Sequence, residues 1–266
     1  MLKFDLHVHS DASPDSTDTP RRLAAKLRGK GLSGAAVTDH NKWADIKLPP
    51  DITYRALLIP AAEYTTDAGH MLVYFLQRGL ETLLTKTPDD CYHWREITDA
   101  AHAQNALVFL AHPFAPIKNR PEAVFEAVDG IEIYNARIEH NRVKGANAKA
   151  QALRRQYGLA ASAGSDAHYP GEIGAAYWQV DFDIDGLDDQ TVLEKIKRAL
   201  KNGEGVCCGG TASPVYRQRS RWLKAVRRRQ WRSLPKIGVK LLAAVGQHVF
   251  TRRRKPVEIT DESHPL

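Results

Sequence analysis

Cysteine is scarce in this sequence. Cys91, Cys207 and Cys208 make an odd set without the paired spacing of a thiolate metal site, which excludes a disulfide-stapled secreted scaffold and suits a reducing compartment. Long apolar runs are missing as well. The best, over residues 237–250, is interrupted by Lys240, Gln247 and His248 and falls short of the roughly 20 apolar residues that cross a bilayer. The opening MLKFDLHVHSDAS reaches an Asp at its fifth residue without the apolar core of a signal peptide, so the expected location is cytoplasmic. Internal repeats and low-complexity segments are absent. Acidic residues vanish between positions 214 and 255, a stretch holding 14 Lys and Arg, so that residues 1–213 carry 24 basic against 28 acidic side chains and a net charge of −4. The overall charge of +7 describes neither part and is no argument for nucleic-acid binding.

What is present is the composition of a globular protein: 266 residues, 43% hydrophobic and 26% charged, enough chain to bury a sizeable core without staples. To about Val206 short apolar runs alternate with longer amphipathic ones, the rhythm of β-α units with mostly parallel strands. Strands are expected at 3–6, 34–38, 57–61, 71–76, 107–110, 130–133, 160–163 and 177–182. Helices are expected from Thr19 and Pro20 through Arg28, and at 92–104, 121–128, 142–157 and 191–202. In the first of them Pro20 sits in the opening turn, where its missing N–H is harmless, and Gly29 and Gly31 follow. A barrel and an open α/β sheet both satisfy this pattern.

Polar residues cluster just past those strands. After the first comes Asp5-Leu6-His7-Val8-His9-Ser10 with Asp15 beyond, and after the second Thr38-Asp39-His40-Asn41. Glu63 follows the third, Ala111-His112-Pro113 the fifth, Tyr134-Asn135 and then His140 the sixth, and Gly164-Ser165-Asp166-Ala167-His168 the seventh. In parallel α/β folds the strand C-terminal ends share one face, where catalytic groups converge. Alternate spacing in His7-x-His9 and Asp166-x-His168 turns both members of each pair toward one side of an extended segment. Imidazoles and carboxylates without thiolates suit Zn²⁺, Mn²⁺ or Fe ions in a catalytic rather than a structural site.

The series DLHVHS, TDHN, a lone Glu after a strand, AHP and GSDAH resembles the motif series of the PHP (polymerase and histidinol phosphatase) superfamily of metal-dependent phosphoesterases over about residues 1–210. The resemblance implies an α/β fold, a distorted (β/α)7 barrel, with two or three divalent ions (Mn, Fe or Zn) at the strand C-terminal ends. It implies a first ion on His7, His9, Asp166 and a bridging Glu63, a second between Glu63, His112 and His140, and a third between Asp15, His40 and His168. Residues 1–210 would then form the phosphoesterase domain and supply the whole active site, with 211–266 a basic amphipathic extension.

A cluster with three acidic ligands leaves net positive charge on such ions, which suits an anionic substrate. The expected reaction is hydrolysis of a phosphate ester, by preference a small phosphomonoester, through in-line attack by metal-bound hydroxide. His168 or His40 is the candidate proton donor to the leaving group. Asp5 and Asp39 are candidates to orient imidazoles, and Arg137 to clamp phosphate oxygens. His70, His93, His102, His248 and His264 match no motif and read as ordinary. In the extension, Pro235 divides two helical pieces, and Ile237, Leu241, Val245 and Val249, widened by Leu242 and Phe250, form an apolar stripe with basic residues at its ends. Such a segment suits docking on the barrel, on a second subunit in a homo-oligomer, on nucleic acid through 214–255, or on a membrane surface. Two rival functions stand beside the phosphatase: a nuclease or phosphodiesterase holding nucleic acid with this tail, and a non-catalytic, metal-stabilised binding module.

Overall fold

The computed structural model describes residues 1–52, 54–115, 120–138, 145–250 and 255–259. The first seven strands are β1 (Leu2–Val8), β2 (Gly34–Val37), β3 (Leu57–Thr66), β4 (Gly69–Tyr74), β5 (Leu107–Leu110), β6 (Gly130–Asn135) and β7 (Ala160–Gly164). Three more, β8 (Ala176–Val180), β9 (Val206–Gly209) and β10 (Val257–Glu258), complete one mixed sheet in the order β10-β9-β8-β1-β2-β3-β4-β5-β6-β7. The helices are α1 (Pro20–Lys30), α2 (Trp94–His102), α3 (Ala123–Ala127), α4 (Ala146–Tyr157), α5 (Asp189–Lys201), α6 (Pro214–Arg227) and α7 (Leu234–Phe250).

Local chemistry sets several boundaries. α1 starts where the Thr19 hydroxyl accepts the Arg22 N–H and stops at Gly31, whose left-handed φ of 63° lets its N–H reach the Arg28 and Leu27 carbonyls. α4 begins at Ala146, later than expected; positions 142–144 of the expected helix lie outside the described residues. Strands β1–β7 bury Phe4, Leu6, Ile59, Leu72, Phe109 and Ile131 in the main core. A smaller cluster sets Leu23 and Leu27 of α1 against Val8 and Val37.

The sheet is not mostly parallel. Pairs β1–β2, β2–β3, β5–β6 and β6–β7 are parallel, whereas β3–β4, β4–β5, β1–β8, β8–β9 and β9–β10 are antiparallel. The reason lies between β3 and β4. Both strands run past their expected ends until Thr66 pairs with Gly69, leaving two residues for the turn, and a parallel crossover needs a dozen or more.

The sheet curls until β7 comes back to β1. Val8 bridges Ala167, His9 N–H donates to the Ala167 carbonyl at 2.8 Å, and Asp166 N–H donates to the His7 carbonyl at 2.8 Å. β8 pairs only with the start of β1, Leu2 to Phe4, so the far end of β1 is free to meet β7. Asp5 fastens this seam. Its carboxylate accepts from Ser165 N–H (2.9 Å), Ser165 Oγ (2.6 Å) and Gly174 N–H (2.8 Å), and burial pushes its pKa up to about 6 against those donors. Gly164 is where the strands pass closest, since a Cβ there would stand 2.3 Å from His7 Cβ. Gly164→Ala is therefore expected to destabilise the fold by about 1–3 kcal/mol, read as a lower urea midpoint with unchanged slope.

Candidate metal centre

The closed seam brings the motif residues to one pocket. His7 Nε2 and His9 Nε2 are 3.2 Å apart, and Glu63 Oε2 lies 3.6 Å from the first and 3.5 Å from the second. Asp166 Oδ1 stands 3.8 Å from His7 Nε2 and 3.5 Å from His9 Nε2. Ligands bound tetrahedrally at about 2.0–2.2 Å have edges of about 3.3–3.6 Å, a spacing approached by His7, His9 and Asp166, whose ligand atoms lie within 4.8 Å of one another, with Glu63 Oε2 set against both rings. Glu63 turns its other oxygen, Oε1, to His112 Nε2 at 3.0 Å. A third group is formed by Asp15 Oδ1 at 3.5 Å from both His40 Nε2 and His168 Nε2. His140, expected beside Glu63 and His112, lies outside the described residues.

The donor set fits divalent cations. Glu63 Oε2 and Asp15 Oδ1 are buried without a well-directed hydrogen bond and face ring nitrogens, His40 Nδ1 standing 2.8 Å from Glu63 Oε2, an arrangement that a cation between them suits. Burial raises the Glu63 carboxyl, but His70, His40 and His7 outweigh it and hold the group well below its usual range. The same balance, with His7 foremost, lowers Asp166. For His7 burial opposes the imidazolium, and the carboxylates of Glu132, Asp166 and Glu63 overcome it and raise the group well above its usual value. His40 is pushed up to about 9, burial being outweighed by Glu63 and Asp15. Burial and the neighbouring His40 lower His9, while burial and the Arg137 guanidinium lower His168 far below its usual value. Burial and Arg137 thus oppose an imidazolium at His168 in the ion-free protein.

Backbone and neighbouring side chains aim these groups. His112 (φ 26°) and Asp166 (φ 56°) both take left-handed backbone, rare for residues with a Cβ and typical of functional sites. Glu132 on β6 accepts His7 Nδ1–H at 2.9 Å and the His112 N–H at 2.7 Å, which leaves His7 Nε2 facing the centre. Asp39 accepts from Ser10 N–H (2.9 Å) and Ser13 Oγ (2.5 Å), and Ser13 Oγ in turn lies 3.3 Å from His9 Nδ1. Asp39 therefore orients His9 through a serine, as expected in kind. Asp5 touches no imidazole and is a seam residue instead.

Other expectations need correction. His70 is not ordinary: its Nδ1 donates to Glu63 Oε1 at 2.7 Å, and it lines the pocket with His40, His112 and His168. The site is not confined to residues 1–210 either, because Arg217, Ser220, Arg221 and Lys224 of α6 line the same cavity of about 370 Å³. Lys224 Nζ donates to Asp15 Oδ2 at 2.9 Å, and Arg227 Nη1 donates to the Ser13 and Ser16 carbonyls at 3.0 Å. Arg137 is largely committed within the protein. It contacts Glu172 Oε1 at 3.2 Å and His168 Nδ1 at 2.6 Å, and donates to Ser220 Oγ, so it ties α6 to the centre while lining the cavity.

Comparison with known proteins finds relatives of this chain. Residues 144–201 match the family model described as PHP-associated. An uncharacterized protein of Methanocaldococcus jannaschii is 31% identical over 203 residues, covering 73% of this chain and 77% of its own. The chain belongs to the PHP superfamily. A second uncharacterized protein of the same organism is 26% identical over 151 residues, covering 51% of this chain and 82% of its own. The crystal structure of PsfC from Pseudomonas syringae shares the fold at a TM-score of 0.54 and 17% identity, over 76% of this chain and 98% of that one.

In this PHP chain metal loading must displace protons. His7 and His40 carry raised pKa values in the ion-free protein, and ligands bind deprotonated. Below pH 9 calorimetric Mn²⁺ titrations in buffers of differing ionisation enthalpy should show net proton release, and affinity should fall as pH falls. The sign for stability without metal is opposite. A His whose pKa rises on folding, here from 6.5 to about 9, stabilises most below 6.5 and loses that contribution through 9, so the ion-free melting temperature should drop over that window. Removing the Glu132 carboxylate as Glu132→Gln should weaken metal affinity about 10–100-fold, measured by competition with a chelating dye.

Proposed function

We propose that this chain is a metal-dependent phosphoesterase acting on a small phosphomonoester. The observation that carries the reading is the chamber itself: a carboxylate and imidazole centre whose open side is walled by Arg217, Arg221 and Lys224 of α6. Divalent ions, when bound by His7, His9, Glu63, Asp166, His112, Asp15, His40 and His168, supply Lewis acidity toward phosphate oxygens and make water acidic enough to attack. The chain's own groups do the rest. Arg221 and Lys224 face the entering anion and raise its local concentration. Glu132 and Asp39, through His7 and His9, keep the Nε2 atoms of both rings turned inward. His70 lines the mouth outside the three ligand groups. We assign to it, rather than to His168 or His40, the hydrogen bond and proton offered to the leaving oxygen.

Chamber size supports a monoester over a nucleic acid strand. A cavity of about 370 Å³ holds a small ligand, and α6 lies over the centre, held by Arg137, Lys224 and Arg227, where an extended strand would have to run. Phosphate release from a monoester panel in Mn²⁺ should exceed cleavage of a matched diester panel, with His9→Ala inactive in both. Preference for diesters would transfer the reading to a nuclease. Arg221→Ala should raise KM several-fold with kcat little changed. His70→Asn, reloaded to the wild-type metal content, should lower kcat about 10²–10⁴-fold, and an unaltered kcat would remove His70 from proton transfer.

A further inference from the structure

The second helix of the extension presents an apolar face to solvent. Toward α6 it turns Ala244, which is buried, with Ile237 and Leu241 half-buried beside it. The stripe expected from the sequence is thereby split, because Leu242 and Val245 point the other way. At 100° per residue, Pro235, Val239, Leu242, Ala243, Val245 and Gly246 fall on the opposite side of α7, and all six are exposed. Val239 is 69% exposed and Leu242 is 75% exposed. This side carries no charged or polar side chain among the described residues.

Cations and tryptophans border it. Trp222 of α6 lies against Gly238 and is 39% exposed, and Trp231, just before α7, is 58% exposed. Arg228, Arg229 and Arg232 of the turn between the helices and Lys236 of α7 are exposed, and positions 214–255 hold no Asp or Glu to pair with them. We infer that the exposed face of α7 docks this protein on an anionic lipid bilayer, with Val239, Leu242 and Val245 in the acyl boundary and the flanking arginines on the headgroups.

Charge decides among the occupants. A second copy seated symmetrically would bring the same arginines against one another, and the one acid near them, Asp90 beside Arg228, is already paired with Lys86. Nucleic acid would take the arginines but has no use for a valine and leucine face. An anionic bilayer uses both halves, and Trp at the border is the side chain that favours the interface. No helix among the described residues is long and apolar enough to cross a membrane, so the contact is with the surface.

Full-length protein should float with vesicles of phosphatidylcholine plus phosphatidylglycerol but not with phosphatidylcholine alone, with a blue shift in tryptophan emission and weakening by salt. The double change Val239→Glu and Leu242→Glu should cut partitioning about tenfold or more, with melting temperature and metal content unchanged. Replacing Arg228, Arg229 and Arg232 by Gln should remove the preference for anionic vesicles while leaving α7 intact. Failure to float with anionic vesicles overturns the inference. So does a concentration-dependent dimer that the double change dissolves and vesicles do not displace, or single-stranded RNA binding without vesicle binding. None of these readouts depends on turnover, so they stand or fall apart from the phosphatase reading.

Discussion

Glu63 is a single buried carboxylate around which the rest of the molecule is arranged. Nitrogens of His7, His9, His40, His70 and His112 all lie between 2.7 and 3.6 Å from its two oxygens. An isolated carboxylate at this depth would be protonated or would unfold its surroundings. It is kept ionised by rings delivered from four strand ends, and those rings in turn need Glu132, Ser13 and the Asp5 seam to hold their angles. Glu63 could not occupy this position in an open sheet. The contact between β7 and β1 puts Asp166 opposite it, and Gly164 permits that contact.

Most of this centre was legible because the chemistry falls where parallel strands end. The residues that were missed lie where that rule does not look. His70 opens β4, and β4 is antiparallel to β3, so its beginning lies on the face where the parallel strands finish. A reading that treats every strand as parallel places it at the wrong end of the sheet. Glu132 sits inside β6, in the run Gly130–Asn135 whose every residue is buried, where alternation cannot separate a functional carboxylate from a strand residue facing a neighbour. The pattern that would have exposed His70 is the short Asp67-Ala68 link, visible as a hairpin once both strands are allowed to lengthen past Thr65 and His70.

The contribution of α6 was hidden for a different reason. Sequence spacing reports neighbours along the chain, and nothing in a run of arginines says which of them faces a pocket built from residues as far back as Asp15. Charge nonetheless pointed in this direction. The body carries a net charge of −4, and the extension brings cations to the mouth of its pocket through Arg217, Arg221 and Lys224.

That placement makes the extension part of the third ligand group. The loop carrying Ser13, Asp15 and Ser16 is tied to the strand ends through His9, His40 and His168. It is held on one side by Asp39, through Ser10 and Ser13, and on the other by Lys224 and Arg227 of α6. Lys224 takes one oxygen of Asp15 at 2.9 Å and leaves the other, Oδ1, facing His40 and His168 without a well-directed hydrogen bond. Arg137 closes the circuit by linking His168 to Ser220. A shift of α6 must therefore move Asp15 and His168 together, which couples the third ligand group to the helix that carries the cationic wall, and through it to the apolar face of α7.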